Sequence, residues 1–300
     1  MSAEMTEHRA GKVGLIGWTN VGKSTLLNRM VGVKIAAVAN VSQTTRDRIM
    51  AVTHVDGVAQ IAFVDTPGWH RPKHRMNRRM IERTREALHE VDVAIWVFDA
   101  SKGVGPGDRE VMELLRKSPL KRIAVLNKID LMSNKNKLLP LLESLHQDGM
   151  FDEVIPISAL TGDGCDALLQ ATIALVPAGP PLFDEDFLTD QSQRQIVAES
   201  VREQLVQQTR EELPHSTAVI VDAWEEDGDL VRIEASVMVE RDSQKKIVIG
   251  RNGDLLKSVG TAARLQIEEF LGKRVYLRLW AKTHRDWRND RAALRELGLS

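Results

Sequence analysis

One stretch, Gly17-Trp18-Thr19-Asn20-Val21-Gly22-Lys23-Ser24, constrains this chain more than any other. It lies between an apolar run, Val13 to Ile16, and a helical pattern through Leu26 and Leu27, so it demands a strand, a tight loop and a helix in that order. Glycines at 17 and 22 let successive backbone N–H groups converge on a phosphate. Lys23 then reaches the β- and γ-oxygens, and the Ser24 hydroxyl, with Thr25 beside it, faces a Mg²⁺ ion. The spacing therefore predicts an α/β domain that holds a nucleoside triphosphate.

Three further strings follow in the order and at the spacing of one nucleotide pocket. Asp65-Thr66-Pro67-Gly68 closes the apolar strand Ile61 to Val64. Asp65 is the expected Mg²⁺ partner, directly or through water, and the Gly68 N–H is placed to meet the γ-phosphate, a contact that hydrolysis removes. Asn127-Lys128-Ile129-Asp130 ends the strand Ile123 to Leu126, and Ser158-Ala159-Leu160 follows later. A carboxylate at Asp130 can accept both N–H groups on the Watson–Crick edge of guanine, a pattern adenine lacks. Sites that hydrogen-bond a substrate group reject analogues lacking it by ~10⁴. Asn127 is expected to brace the loop near N7, the Lys128 stem to cover the base, and the Ala159 N–H to serve O6. A phosphate loop alone leaves ATP open; the four strings together specify GTP.

Predicted strands near 12–17, 48–54, 58–64, 93–98, 121–126 and 153–156 alternate with helices near 23–31, 76–90, 107–117, 134–147 and 163–175. That is a doubly wound domain. Asp56-Gly57 between the second and third strands predicts a hairpin, hence one antiparallel edge strand. Pro177-Ala178-Gly179-Pro180-Pro181 then interrupts all periodicity, so residues 1–178 read as the nucleotide domain and 179–192 as a linker. Beyond it come a helix from Gln193 to Glu212, strands Thr217–Trp224 and Leu230–Glu240, a short helix to Ile249, a helix to about Leu271 and a strand Arg274–Ala281. The order αββααβ makes 193–300 a smaller α+β domain.

Between its two central helices stands Gly250-Arg251-Asn252-Gly253, a turn whose N–H groups can approach a nucleic-acid backbone while Arg251 adds charge. Lys246 and Lys257 flank it. A lone Gly-x-x-Gly is more often a plain helix turn, but here it falls in a basic segment. Residues 240–300 hold 14 Lys/Arg against 8 Asp/Glu, whereas the whole chain of 300 residues carries a net charge of −1. A polyanion partner at that end is expected. No apolar run reaches the ~18 residues of a membrane span and no secretory pattern opens the chain, so a cytoplasmic protein is expected. The single cysteine, Cys165, reads as core filler, and eight scattered histidines show no ligand spacing.

These residues together resemble the Era family of bacterial GTPases across nearly the whole chain. The resemblance is carried by the four nucleotide strings, by Gln43-Thr44-Thr45-Arg46 at the family's switch I, and by Thr189-Asp190-Gln191-Ser192-Gln193-Arg194 with Glu212-Leu213-Pro214 at its junction helix. Val248-Ile249-Gly250-Arg251-Asn252-Gly253 and Leu277-Arg278-Leu279-Trp280-Ala281-Lys282 match its type II KH domain. The resemblance implies GTP hydrolysis and binding to the 3′ end of 16S ribosomal RNA in maturation of the small (30S) ribosomal subunit. It also implies a monomer with a peripheral contact at the inner membrane. Thr45 is the chosen switch I ligand of Mg²⁺, with Thr44 as the alternative. In relatives sharing Gly-x-x-Asn-x-Gly-Lys-Ser, the residue at Asn20 can give a side-chain oxygen to K⁺ beside the phosphates.

The departures are specific. The loop reads Gly-Trp-Thr-Asn where the family has Gly-Arg-Pro-Asn, which predicts altered neighbours around an intact phosphate cradle. The KH turn carries Arg-Asn where a further glycine is common, and Asp254 after it suits a helix N-terminus but repels phosphate. Trp69 stands where many small GTPases place a water-orienting glutamine; an indole cannot polarise water, so slow basal turnover is expected. The run His70-Arg71-Pro72-Lys73-His74-Arg75, continued by Arg78 and Arg79, is either a solvated switch II face or a nucleotide-gated RNA contact. Trp280 and Trp287 read as core and end-packing residues rather than as base-stacking platforms. The competing functional reading is a nucleotide-gated adaptor whose partner is protein or membrane surface.

Overall fold

The computed structural model describes residues 7–38, 48–69, 75–209, 217–290, 294 and 297. It divides into two compact units, with Asp190 ending the first and Gln191 opening the long final stretch of the second.

The first unit begins with β1 (Arg9–Ile16), the phosphate loop and α1 (Lys23–Val31). The edge pair β2 (Ile49–Val55) and β3 (Ala59–Asp65) follows, then α2 (Arg75–Glu90), β4 (Val93–Asp99), α3 (Pro106–Arg116), β5 (Lys121–Asn127), α4 (Leu138–Asp148), β6 (Glu153–Pro156) and α5 (Cys165–Leu175). The sheet order is β2-β3-β1-β4-β5-β6. Only β2 runs antiparallel, joined to β3 through the turn at Gly57, whose φ is 65°. Every residue of β3 and β4 is buried, as expected of strands covered on both faces by helices. Trp96 fills the layer on one side, stacked on Phe98 at 4.4 Å and Phe151 at 5.4 Å between ring centroids.

Register carries this packing to the site. Leu15 pairs with Asp65 across β1 and β3, and Asp99 pairs with Asn127 across β4 and β5. The carboxyl ends of the parallel strands thus finish level, and the loops leaving them share one crevice. Helix α4 starts at Leu138 rather than near 134, because residues 129–131 and 135–137 form 3₁₀ turns, the second begun by Asn134 Oδ1 accepting the Asn136 N–H. Pro140 then falls in the first helical turn, where its missing N–H has no partner to lose. The stretch read as a linker runs along the β2 edge up to Asp190. Gln60, 2% exposed, gives its amide N–H to the Phe183 carbonyl and takes the N–H groups of Leu182 and Phe183, and Val52 donates to the Leu188 carbonyl.

The second unit holds α6 (Gln193–Gln208), β7 (Ala218–Asp227), β8 (Leu230–Val239), α7 (Asp242–Ile249), α8 (Asp254–Leu271) and β9 (Arg274–Thr283). Ser192 and Gln195 cap α6 reciprocally. Its sheet is ordered β7-β8-β9, with β9 parallel to β8 and at the edge, so α7 and α8 form the crossover. Val197, Val201 and Leu205 of α6 pack with Val231, Ile233 and Val237 of β8 and with Val259, Ala263 and Ile267 of α8. Switch I (Gln43 to Arg46, including Thr44 and Thr45), His70 to His74, and Glu212 to Pro214 lie outside the described residues.

Candidate nucleotide site and nucleic-acid groove

Backbone geometry comes first in the phosphate loop. A Cβ at Gly17 would sit 2.2 Å from the Val97 carbonyl, and one at Gly22, whose φ is 98°, would sit 2.3 Å from Asn127 Nδ2. Both positions therefore exclude any side chain. Lys23, only 6% exposed, donates from Nζ to the carbonyls of Gly17 (3.3 Å) and Trp18 (3.1 Å), so its side chain folds back along the phosphate loop. Burial lowers its pKa, and the Asp65 carboxylate opposes that shift. Val21 is buried, and Thr25 lies in the first turn of α1.

Ser24 Oγ donates to Asp65 Oδ2 at 2.7 Å, and Asp65 is fully buried. A hydroxyl and a carboxylate side by side are the hard oxygen donors Mg²⁺ takes, so these residues fit the ion. Thr66 donates to the Leu15 carbonyl and Pro67 accepts from Thr84. Gly68 passes against the loop: a Cβ there would lie 2.9 Å from Thr19 Cα, and the next N–H, of Trp69, donates to the Gly17 carbonyl at 2.9 Å. Phosphate loop and switch II are thereby fastened together by backbone. The indole of Trp69 packs on the core beside β4, with the Arg85 guanidinium 5.7 Å from its centroid. Trp18 fills the space over α3, where a Cβ at Gly107 would be 2.4 Å from its ring. The unusual tryptophan thus alters neighbours on α3 while the phosphate cradle keeps its form.

The base side is a closed hydrogen-bond circuit. Asn127 donates from Nδ2 to the Val21 carbonyl at 2.8 Å and accepts at Oδ1 from the Lys128 and Ala159 N–H groups. Ala159 was expected to give its N–H to guanine O6; it gives it to Asn127 at 2.9 Å, so it can reach O6 only by sharing that proton. Asp130 is exposed, and its Oδ1 accepts from Ser158 Oγ at 2.6 Å, which aims the carboxylate without burying it. Leu160 is 68% exposed.

Two positioning residues carry no motif and escaped the sequence reading. Asp99, 6% exposed at the end of β4, accepts from Lys128 Nζ at 3.0 Å and from Ser101 Oγ at 2.5 Å. Lys128 Nζ also donates to the Asn20 carbonyl at 2.6 Å, with both Lys128 and Asn20 in left-handed backbone. Burial works against ionising Asp99, but the Ser101 and Lys128 hydrogen bonds and the Lys128 and Lys102 charges hold it below the usual carboxylate range. The folded pKa being depressed, this clasp is present at neutral pH and is lost only as pH falls through that value. Arg29 of α1 holds the base loop from the other side, donating to the Ala159 and Leu160 carbonyls. Only the strand-end position of Asp99 could have signalled it.

In the second unit, Gly250 (φ 77°), Asn252 (φ 54°) and Gly253 (φ 84°) form the turn between α7 and α8. A Cβ at Gly250 would sit 2.8 Å from the Leu255 nitrogen, so glycine is required there. Arg251, Asn252, Lys246 and Lys257 are exposed, and Asp254 is the acidic residue of the first turn of α8. Gly253, Leu256, Lys257, Gly260 and Arg264 line one wall of a groove of about 350 Å³, and Leu277 to Leu279 of β9 line the other. Trp287 is fully buried, as an end-packing residue should be. Trp280 is not a core residue: it is 43% exposed, because it alternates outward on the edge strand.

Comparison with known proteins places this geometry. Residues 12–128 match the family described as 50S ribosome-binding GTPase, and residues 212–288 match the KH domain. The chain is 43% identical over 292 residues to GTPase Era of Syntrophus aciditrophicus (97% of this chain, 95% of that protein). It is also 43% identical to GTPase Era of Geobacter metallireducens (97% of each) and of Staphylococcus epidermidis (98% of each). It superposes on the crystal structure of Era in complex with MgGDPNP and nucleotides 1506–1542 of 16S ribosomal RNA with a TM-score of 0.94, at 37% identity, covering 98% of this chain and 99% of that one. A variant of Aquifex aeolicus Era bound to GDP.AlF4⁻ gives 0.92, at 36% identity and 97% and 99% coverage.

Proposed function

The chain belongs to the Era family of GTPases, and we propose that its nucleotide state sets its grip on the 3′ end of 16S ribosomal RNA as the small ribosomal subunit matures. It is a GTP hydrolase that works with Mg²⁺. The observation that supports the coupling most is the joining of both halves, an intact guanine site and a Gly-x-x-Gly groove, in one chain with the whole-length likeness to Era bound to that RNA.

In this reading Gly17 to Gly22 present N–H groups to the β-phosphate while Lys23 leaves its two carbonyls for the β- and γ-oxygens. Ser24 and Asp65, with Thr45 from switch I, hold Mg²⁺, whose charge when bound offsets that of the phosphates. Asp130 selects guanine, aimed by Ser158; Asn127 fixes the phosphate loop to the base loop; Lys128 covers the base face, set by Asp99. The Gly68 N–H meets the γ-phosphate, and hydrolysis removes that contact. Trp69 offers no proton acceptor, so water is placed by backbone or by another group, and unstimulated turnover is slow. The working division is a GTPase module in 1–178, a connector in 179–192 and an RNA-binding KH module in 193–300. The reading takes the protein as a cytoplasmic monomer with a peripheral contact at the inner membrane. Among the described residues, no helix is long and apolar enough to cross a membrane.

Two outcomes test the assignment. Arg251→Asp with Asn252→Asp places two carboxylates where phosphates must approach; binding of the full chain to a single-stranded 16S 3′-end RNA should weaken at least about tenfold, with a shallower salt dependence. GTP affinity should stay unchanged. Undiminished RNA binding would remove the turn from the interface. For the second, K⁺ beside the phosphates would neutralise developing charge much as an arginine does. Hydrolysis should be faster in K⁺ than in Na⁺ at equal ionic strength, and Asn20→Ala should erase the difference. Equal wild-type rates in the two salts would dismiss a K⁺ role.

A further inference from the structure

The strand that walls the RNA groove has a second face. Along β9 the outward positions read Arg274, Tyr276, Arg278, Trp280, Lys282, a cation and an aromatic ring in strict alternation, with no carboxylate among them. Tyr276, the single tyrosine of the chain, is 53% exposed, and Trp280 is 43% exposed. Neither ring has a role in the core, since the inward residues Val275, Leu277, Leu279 and Ala281 pack against the helices. Period-two spacing puts the two rings on one side, roughly 13 Å apart along the strand.

Guanidinium groups already lie over these rings. Arg278 Cζ is 4.4 Å from the Trp280 centroid, and Arg232, directly across from Tyr276 on β8, is 6.0 Å from the Tyr276 centroid. The outward cations pair with partly exposed carboxylates, Arg278 with Glu234 at 3.5 Å and Lys282 with Asp222 at 3.3 Å. Exposed pairs of this kind contribute little and give way readily to a phosphate. Arg278 also lines the groove with Gly253 and Lys257. The groove and the aromatic face therefore meet at one residue on an open sheet edge.

We propose that this outward face of β9 is a stacking platform for single-stranded RNA, on which the strand that occupies the Gly-x-x-Gly groove continues over the edge and lays bases against Trp280 and Tyr276. This inference rests on the RNA reading given above. Alternating rings and cations fit a single strand: each base has a face for a ring, each phosphate a charge for an Arg or Lys, and no base-specific donor set is required. An apolar peptide would offer the cations no anion to exchange for Glu234 and Asp222, and a duplex would hide its base faces.

The test is a length series of 3′-end RNA fragments titrated against the full chain, Trp280→Ala, Tyr276→Ala and the Arg251→Asp/Asn252→Asp variant. Trp280→Ala should weaken long fragments about tenfold, as expected for one lost stack, and leave unchanged the shortest fragment that still needs the Gly-x-x-Gly turn. Tyr276→Ala should act in the same direction. Long RNA should quench tryptophan emission in the full chain, and Trp280→Phe should remove that quench while retaining most of the affinity. Equal affinity of full chain and Trp280→Ala for every fragment, with quenching unchanged, overturns the platform while leaving the groove intact. Failure of the full chain to bind any fragment overturns the RNA reading itself. Loss in Trp280→Ala of binding to anionic phospholipid vesicles, with RNA binding unaffected, would assign the face to a membrane instead and overturn the proposal.

Discussion

Lys23→Ala should reduce GTP hydrolysis by about 10³ or more, the scale of losing a preorganised charge at a developing oxyanion. The expectation follows from where Lys23 is held. It sits at the first position of α1, almost fully buried, with Nζ on the carbonyls of Gly17 and Trp18. Burial lowers its pKa, and the Asp65 carboxylate opposes that shift, as incoming phosphate oxygens would. Alanine removes charge and donors together without disturbing the glycines that shape the loop. Single-turnover phosphate release measures the loss, and RNA binding by the same variant without nucleotide checks that the second unit remains folded. Normal turnover would place the active site elsewhere.

Asp130→Asn should produce the second large effect, a change of base. The carboxylate is exposed and aimed by Ser158 Oγ at 2.6 Å. An amide keeps one acceptor for that hydroxyl, so the loop should hold its form, but it presents a donor where guanine also donates. GTP affinity should fall by about 10³ to 10⁴, and XTP, which accepts at that position, should bind better than GTP. Competition against a fluorescent guanine nucleotide gives both numbers. Retained GTP preference in the variant would assign base selection to other groups.

Much of this site is legible in the sequence because its chemistry is local. A phosphate loop needs glycines at fixed offsets from a lysine, and guanine needs one carboxylate; both show as strings. What stayed hidden depends on register between distant strands. Asp99 matters because β4 ends level with β5, bringing its carboxylate to Lys128, 29 residues away. Arg29 matters because α1 passes the base loop, 130 residues on. The bond from the Ala159 N–H to Asn127 Oδ1 likewise joins two loops 32 residues apart, so the Ser158-Ala159-Leu160 string alone does not show it.

In the second unit the order of elements was legible from period and turn residues, but the role of Trp280 was not. Its neighbours alternate Leu-Arg-Leu-Trp-Ala, so parity alone places it with the arginine. Trp280 is exposed because β9 is an edge strand and position 280 shares the outward parity of Arg278, against the core placement expected for it. The late start of α4 has a similar cause: Asn134 forms a side-chain cap for a 3₁₀ turn, a local competitor of the helix.

The central claim, that nucleotide state governs the RNA grip, is tested most directly by one affinity comparison. The full chain is loaded either with a non-hydrolysable GTP analogue or with GDP, and titrated with RNA spanning the 3′ end of 16S ribosomal RNA at one fixed salt concentration. The account predicts binding at least about tenfold tighter in the GTP-analogue form, a coupling of ordinary size for two linked sites. Equal affinity in the two forms would contradict it.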